Sequence, residues 1–80
     1  MASRFDPALM SRHAWREAKR ERIPLQMIKE TYEDPDSTDP SDDDELREIR
    51  TRWFGDLGLV DVVDIDDGRV VTVFRKGPKP

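Results

Sequence analysis

Apolar and polar residues alternate most regularly along Leu59–Arg75, LVDVVDIDDGRVVTVFR, where two β-branched runs are joined by Asp67-Gly68. Alternation at period two is a strand signal. An Asp-Gly pair between two such runs suits a two-residue type I′ hairpin turn, in which both central residues need positive φ. That turn pairs Ile65 with Val70, Val63 with Thr72 and Asp61 with Phe74. Upstream, Glu45–Phe54 alternates as well, with Ile49, Thr51 and Trp53 on one side and Glu48, Arg50, Arg52 and Phe54 on the other. With Gly55–Gly58 as the connecting turn, Phe54 faces Leu59, Trp53 faces Val60 and Arg52 faces Asp61. One sheet face then collects Ile49, Thr51, Trp53, Val60, Val62, Val71 and Val73. It is the drier face and is expected to pack on the helices. The other collects Arg50, Arg52, Asp61, Val63, Ile65, Thr72 and Phe74, a mixture suited to a binding surface. A one-residue slip in the Gly55–Gly58 loop would turn the first strand over against the other two.

The N-terminal half carries helical spacing. Asp6-Pro7 is a helix start, because the carboxylate accepts from free N–H groups and proline at the first helical position loses no bond. Ser11 is a second candidate cap, and the helix runs to about Arg22. Met10, Ala14 and Ala18 form a narrow apolar stripe with Trp15 beside it, and His13, Glu17 and Glu21 form the next row. Ile23-Pro24 breaks this helix, since a residue before proline is pushed out of the α region. A second helix carries Leu25, Ile28 and Tyr32 at helical spacing, flanked by Met27 and Thr31, and ends at Asp34-Pro35. Asp36–Glu45 is an acidic loop with room for a short edge strand near Ser37–Asp39. Residues 1–5 and 77–80 are expected to be loose ends of a single domain spanning residues 1–80. The fold class is therefore α+β, with two N-terminal helices packed on one face of a three- to four-stranded antiparallel sheet.

Composition narrows the picture. A chain of 80 residues, 35% hydrophobic and 40% charged, builds a thin core. Chains of this size bury roughly 60–65% of their unfolded surface. There is no cysteine, which excludes disulfides and thiolate metal sites. No apolar run reaches the roughly 20 residues of a membrane span, and the N-terminus lacks the apolar core of a signal peptide. A cytoplasmic protein without a membrane partner is the expectation. Net charge is −4, but it is segregated. Arg12, Arg16, Lys19, Arg20 and Arg22 crowd one segment, and Asp36, Asp39, Asp42, Asp43, Asp44, Glu45 and Glu48 crowd another. The whole is too acidic for a plain nucleic-acid coat, yet a local basic patch still meets phosphate.

His13-Ala14 opening a helix, Ile23, Ile28 in a second helix, Asp34-Pro35 closing it and a final Val70-Val71-Thr72-Val73-Phe74 strand form one ordered series. In this series the chain resembles a small bacterial and archaeal domain family grouped with the RelE- and BrnT-like toxins, over about Ser11 to Lys76. The resemblance implies two helices before an antiparallel sheet. It also implies a toxin-like domain acting on RNA as a metal-independent endoribonuclease, with an antitoxin or other protein as partner. Many members of that family carry arginines four and eight residues after the histidine. Glu17 and Glu21 stand there in this chain, which weakens the nuclease inference.

RNA cleavage needs a proton acceptor near neutral pH and cations for the phosphorane charge. His13, the one histidine, is the candidate acid or base, with Arg52 and Thr72 as further catalytic candidates and Arg50 and Arg20 as phosphate contacts. The three catalytic candidates each have a structural alternative. His13 and Glu17 are one helical turn apart and suit a surface hydrogen bond. Arg52 opposite Asp61 suits a cross-strand ion pair, and Thr72 a plain strand former. Trp15 and Trp53 are expected in the core rather than stacked on bases. The Asp42–Glu45 run lacks EF-hand spacing, and nothing resembles a phosphate loop or dinucleotide fingerprint, so no cofactor or metal is expected. The rival to the RNA reading is a non-catalytic interaction domain, its partner covering Val63, Ile65 and Phe74 on the mixed face.

Overall fold

The computed structural model describes residues 4–79. It is α+β: two helices followed by a four-stranded antiparallel sheet. Asp6 caps only a 3-10 turn, Pro7–Leu9, by accepting from the Ala8 N–H. Helix α1, Arg12–Arg20, starts at Ser11, whose hydroxyl accepts from the Ala14 N–H and donates to the Val71 carbonyl. It ends in a Schellman turn, in which the Ile23 N–H bonds the Ala18 carbonyl and the Arg22 N–H that of Lys19. This places Arg22 at φ +54, a conformation usually left to glycine. Helix α2, Leu25–Glu33, follows Pro24 and closes at Asp34.

Strands β1 (Ser37–Pro40), β2 (Arg47–Phe54), β3 (Leu57–Asp64) and β4 (Val70–Lys76) lie in that order across the sheet. The β2–β3 turn is two residues, Gly55-Asp56, not the four of Gly55–Gly58. Arg50 therefore faces Asp61, Arg52 faces Leu59 and Trp53 faces Gly58. Gly58 is a strand residue because the Trp53 ring lies across it, 3.0 Å from where a Cβ would stand. The β3–β4 turn is longer than the expected Asp67-Gly68 pair. Asp64 N–H bonds the Arg69 carbonyl, and Gly68 N–H bonds that of Asp64. Only Gly68 has positive φ, whereas a type I′ turn needs two such residues. Asp64 and Asp67 side chains accept from the Asp66 and Arg69 N–H groups and hold the wider loop.

A bulge at Val71 then sets Val63 opposite Val70, and Val62 opposite Thr72, Asp61 opposite Val73 and Val60 opposite Phe74. The wider turn and the bulge together move β4 by one residue against β3, which inverts the expected faces of β2 and β3 relative to β4; the two-residue slide of β2 along β3 leaves their shared face unchanged. Leu59, Val63, Val70 and Val73 join Phe5, Met10, Ala14, Ala18, Ile23, Ile28 and Tyr32 in one buried cluster. Arg50, Arg52 and Asp61 share that inner face. Ile49, Trp53, Val60, Val62, Thr72 and Phe74 lie on the outer one. Val60 is buried there too, between Thr51 and Phe74 rather than beneath a helix.

The ends depart from expectation where they are described. Phe5 is buried, packs edge-on against Tyr32 and bonds Glu33 through its N–H. Lys79 N–H bonds the Asp56 carbonyl and its ammonium stands over Trp53. Residues 1–3 and 80 of the expected loose ends lie outside the described residues. Among the described residues no helix is long and apolar enough to cross a membrane.

Candidate functional site

The five residues singled out in the sequence fall into three places. His13 and Arg20 are exposed on α1. Arg50 and Arg52 lie side by side on the inner face of β2, and both reach to the end of α2. Arg52 Nη1 donates to the Asp34 carbonyl at 2.6 Å and to its carboxylate at 3.2 Å. Arg50 Nη1 donates to the Tyr32 carbonyl at 2.7 Å, and its Nε and Nη2 bond Glu48 at 3.1 and 3.0 Å. Thr72 is on the opposite face of the sheet. The expected Arg52–Asp61 pair does not form, because the two-residue turn slides β2 along β3 by two positions.

His13 does not meet the arginines either. The start of α1 is tied to β4 at Val70 and Val71, and its end is tied at Arg75, whose guanidinium donates to the Glu21 and Arg22 carbonyls. Arg52 is level with Arg75 across the ladder. His13 and Arg52 are thus separated by roughly 15 Å along the strands and about 10 Å across two strand spacings. Glu17, its expected partner, pairs with Arg20 instead.

Two constellations stand out. The first is the solvent side of α1. At 100° per residue, Trp15, Lys19, Arg12, Arg16, Arg20 and His13 follow one another around an arc of roughly 160°. All six are exposed, and Trp15, expected in the core, is 44% exposed. No carboxylate interrupts the arc. Ala14 and Ala18 lie on the opposite side, buried in the core cluster with Val70 and Val73 of β4. The acidic β1 edge lies three strand spacings from β4, about 14 Å, beyond the roughly 8 Å Debye length at physiological salt. The basic arc is thus set apart from the β1 edge, while Glu17 at its border pairs with Arg20. Its signal was present in the sequence as interleaved Arg, Lys and Trp, but Trp15 read as core.

The second is Asp61 at the centre of β3. It is fully buried, and neither carboxylate oxygen has a hydrogen-bond partner. Arg50 stands directly across the ladder but spends its guanidinium on Glu48, the Tyr32 carbonyl and the Tyr32 ring, 4.6 Å from its centroid. Burial pushes the Asp61 carboxyl up to about 8, against a smaller lowering by Arg50. Burial also raises the Tyr32 phenol; Arg50 opposes this, while Asp61, Asp67 and Glu48 add to it. That phenol donates to the Gly68 carbonyl at 2.7 Å and so links α2 to the β3–β4 turn. The sequence signal for this site is an aspartate inside the run Leu59–Val63, hidden because the helices pack on the face opposite to the drier one.

Among the described residues no group of three or more His, Asp or Glu side chains is placed to hold a metal ion. No family model, curated protein or solved structure matches the chain.

Proposed function

We propose that the chain is a small RNA-binding domain of the RelE- and BrnT-like kind that its motif order resembles, and that α1 is its contact surface. The observation that carries this reading is the basic arc of α1 with an exposed tryptophan at its edge. Cationic side chains track a phosphate backbone, and an indole face accepts an unstacked base whatever its identity. Single-stranded RNA fits this surface better than a duplex, whose bases are not available to stack. Lys19 and Arg20 also favour the C-terminal end of the helix dipole, but Arg12 is the first residue of the helix, where the dipole disfavours it. Its presence there supports a role beyond helix stability. Cleavage is not part of the proposal. His13 lies on the binding arc, while Arg52 and Thr72, the other catalytic candidates, lie on opposite faces of the sheet.

Fluorescence anisotropy with a labelled single-stranded RNA tests the reading across a salt series. Binding through three or four phosphates gives a slope of log K against log salt near −2 to −3. The pair Arg12→Glu and Arg16→Glu should flatten that slope by more than one, and Trp15→Ala should weaken binding by about 1–3 kcal/mol. Absence of binding at 20–50 mM salt, or equal binding of polyglutamate, would refute it.

A second reading rests on the outer sheet face. Phe74 is 43% exposed there, beside half-buried Ile49, Trp53 and Val62. A protein partner, an antitoxin among them, would lie on this face rather than on Val63, which is in the core. Loss of co-purification with a co-expressed neighbouring gene product on Phe74→Asp, with RNA binding intact, would favour it.

A further inference from the structure

Asp61 is a carboxyl group that the fold encloses without serving. Its two oxygens are buried and unpartnered at the middle of an inner strand. A buried polar group of this kind costs stability unless it finds a partner in some state of the protein. The groups around it are few. From β2 come Arg50 and, bonded to it, Glu48. From α2 comes the Tyr32 phenol, with Asp67 of the β3–β4 turn acting on that phenol. β4 contributes Val73 opposite Asp61, and α1 contributes Ala14 and Ala18 to the same cluster, all uncharged. Arg52, two residues along β2 on the same face, is committed to the Asp34 carbonyl and carboxylate. Arg50 is therefore the cation directly across from Asp61, and it holds the last turn of α2 through the Tyr32 carbonyl.

We propose that Asp61 and Arg50 form a proton-controlled latch between α2 and the sheet. With the Asp61 carboxyl protonated, Arg50 is free to bond Glu48 and the Tyr32 carbonyl, and α2 is clamped to β2. When the proton leaves to solvent, a bare carboxylate faces Arg50 across one ladder pair, where facing Cβ atoms are about 4.5–5.5 Å apart. A buried carboxylate cannot remain uncompensated, so the guanidinium swings to it. The Tyr32 carbonyl and ring lose their cation, and the end of α2 loosens. The raised position of the Asp61 carboxyl, about 8, puts this change at mildly alkaline pH. Neither the RNA reading nor the basic arc enters this inference.

Tyr32 is the chain's one tyrosine and reports the change directly. The test follows the Tyr32 ring proton shifts and the Asp61 side-chain carboxyl carbon by NMR from pH 5 to 9.5. The wild type should show both titrating together with a midpoint near 8. Amide exchange in the last turn of α2 should rise at least tenfold beyond the intrinsic base-catalysed increase. Asp61→Asn, nearly the same shape, should leave the Tyr32 ring shifts flat over this range. Three results would overturn the latch. One is an Asp61 carboxyl already ionised at pH 5. Another is a carboxyl titrating near 8 while the Tyr32 ring stays still. The third is a Tyr32 transition that persists in Asp61→Asn. If the variant does not fold, the two wild-type resonances decide alone.

Discussion

Replacing Asp61 with asparagine should make the protein more stable at neutral pH and remove most of its pH dependence. In the unfolded chain the carboxyl titrates near 3.8, and in the folded chain burial holds it up to about 8. Between those values the folded state binds the proton that the unfolded state has lost. Stability contributed by Asp61 is therefore full below pH 4, falls as pH rises and levels off above pH 8. At 1.36 kcal/mol per unit, wild type loses about 3–4 kcal/mol between pH 5 and pH 8. A chain of this length has about 4–12 kcal/mol in total, so the loss is a large share. It corresponds to a fall in Tm of about 15–30 °C. The raised Tyr32 phenol acts with the same sign but only above pH 10, outside this window. Thermal and urea melts of wild type and Asp61→Asn at pH 5, 6, 7 and 8 give the test. Taking the difference between the two proteins removes every other titrating group. The two curves should diverge steadily in the variant's favour as pH rises. Parallel curves, within about 0.5 kcal/mol over three pH units, would show that Asp61 is solvated or paired and that the reasoning fails.

Two further substitutions test the frame around the α1 surface, both read by urea unfolding. Ser11→Ala removes the α1 cap and the bond to the Val71 carbonyl together, and should cost about 1–2 kcal/mol. Arg22→Gly relieves a left-handed backbone at φ +54 and should raise stability by about 1 kcal/mol while leaving RNA binding unchanged, because Arg22 lies outside the proposed arc.

What could be read from the sequence was whatever a few neighbouring residues decide. Ser11, Ile23-Pro24 and Asp34-Pro35 bound the helices by local sterics and capping, and the strands follow from short alternating runs. The short edge strand expected near Ser37–Asp39 is found at Ser37–Pro40. Turn length was not legible in this way. The loop after Asp64 is fixed partly by Tyr32, 36 residues away in the chain, whose hydroxyl holds the Gly68 carbonyl. The bulge at Val71 sits where Ser11 docks on the carbonyls of Val70 and Val71. Neither partner is visible from inside the hairpin, and a period-two pattern turns over with each single-residue change.

The choice of buried face shows why counting apolar residues failed here. The drier face covers itself: Trp53 lies on Gly58, Lys79 stands over Trp53 and Val60 is closed in between Thr51 and Phe74. It therefore needs no helix. The face with Arg50 and Arg52 is the one that binds α2, because the end of that helix presents carbonyls that need donors. Two guanidiniums supply them at the Tyr32 and Asp34 carbonyls. In a chain with so little apolar surface, arginine serves as the clamp. The same arrangement strands Asp61. The cation across the ladder is drawn off to hold the helix, so the carboxyl is left buried and unpartnered, and burial raises its affinity for a proton. One guanidinium placed between two acceptors thus ties the packing of α2 to the ionisation of β3, and moving either should move the other.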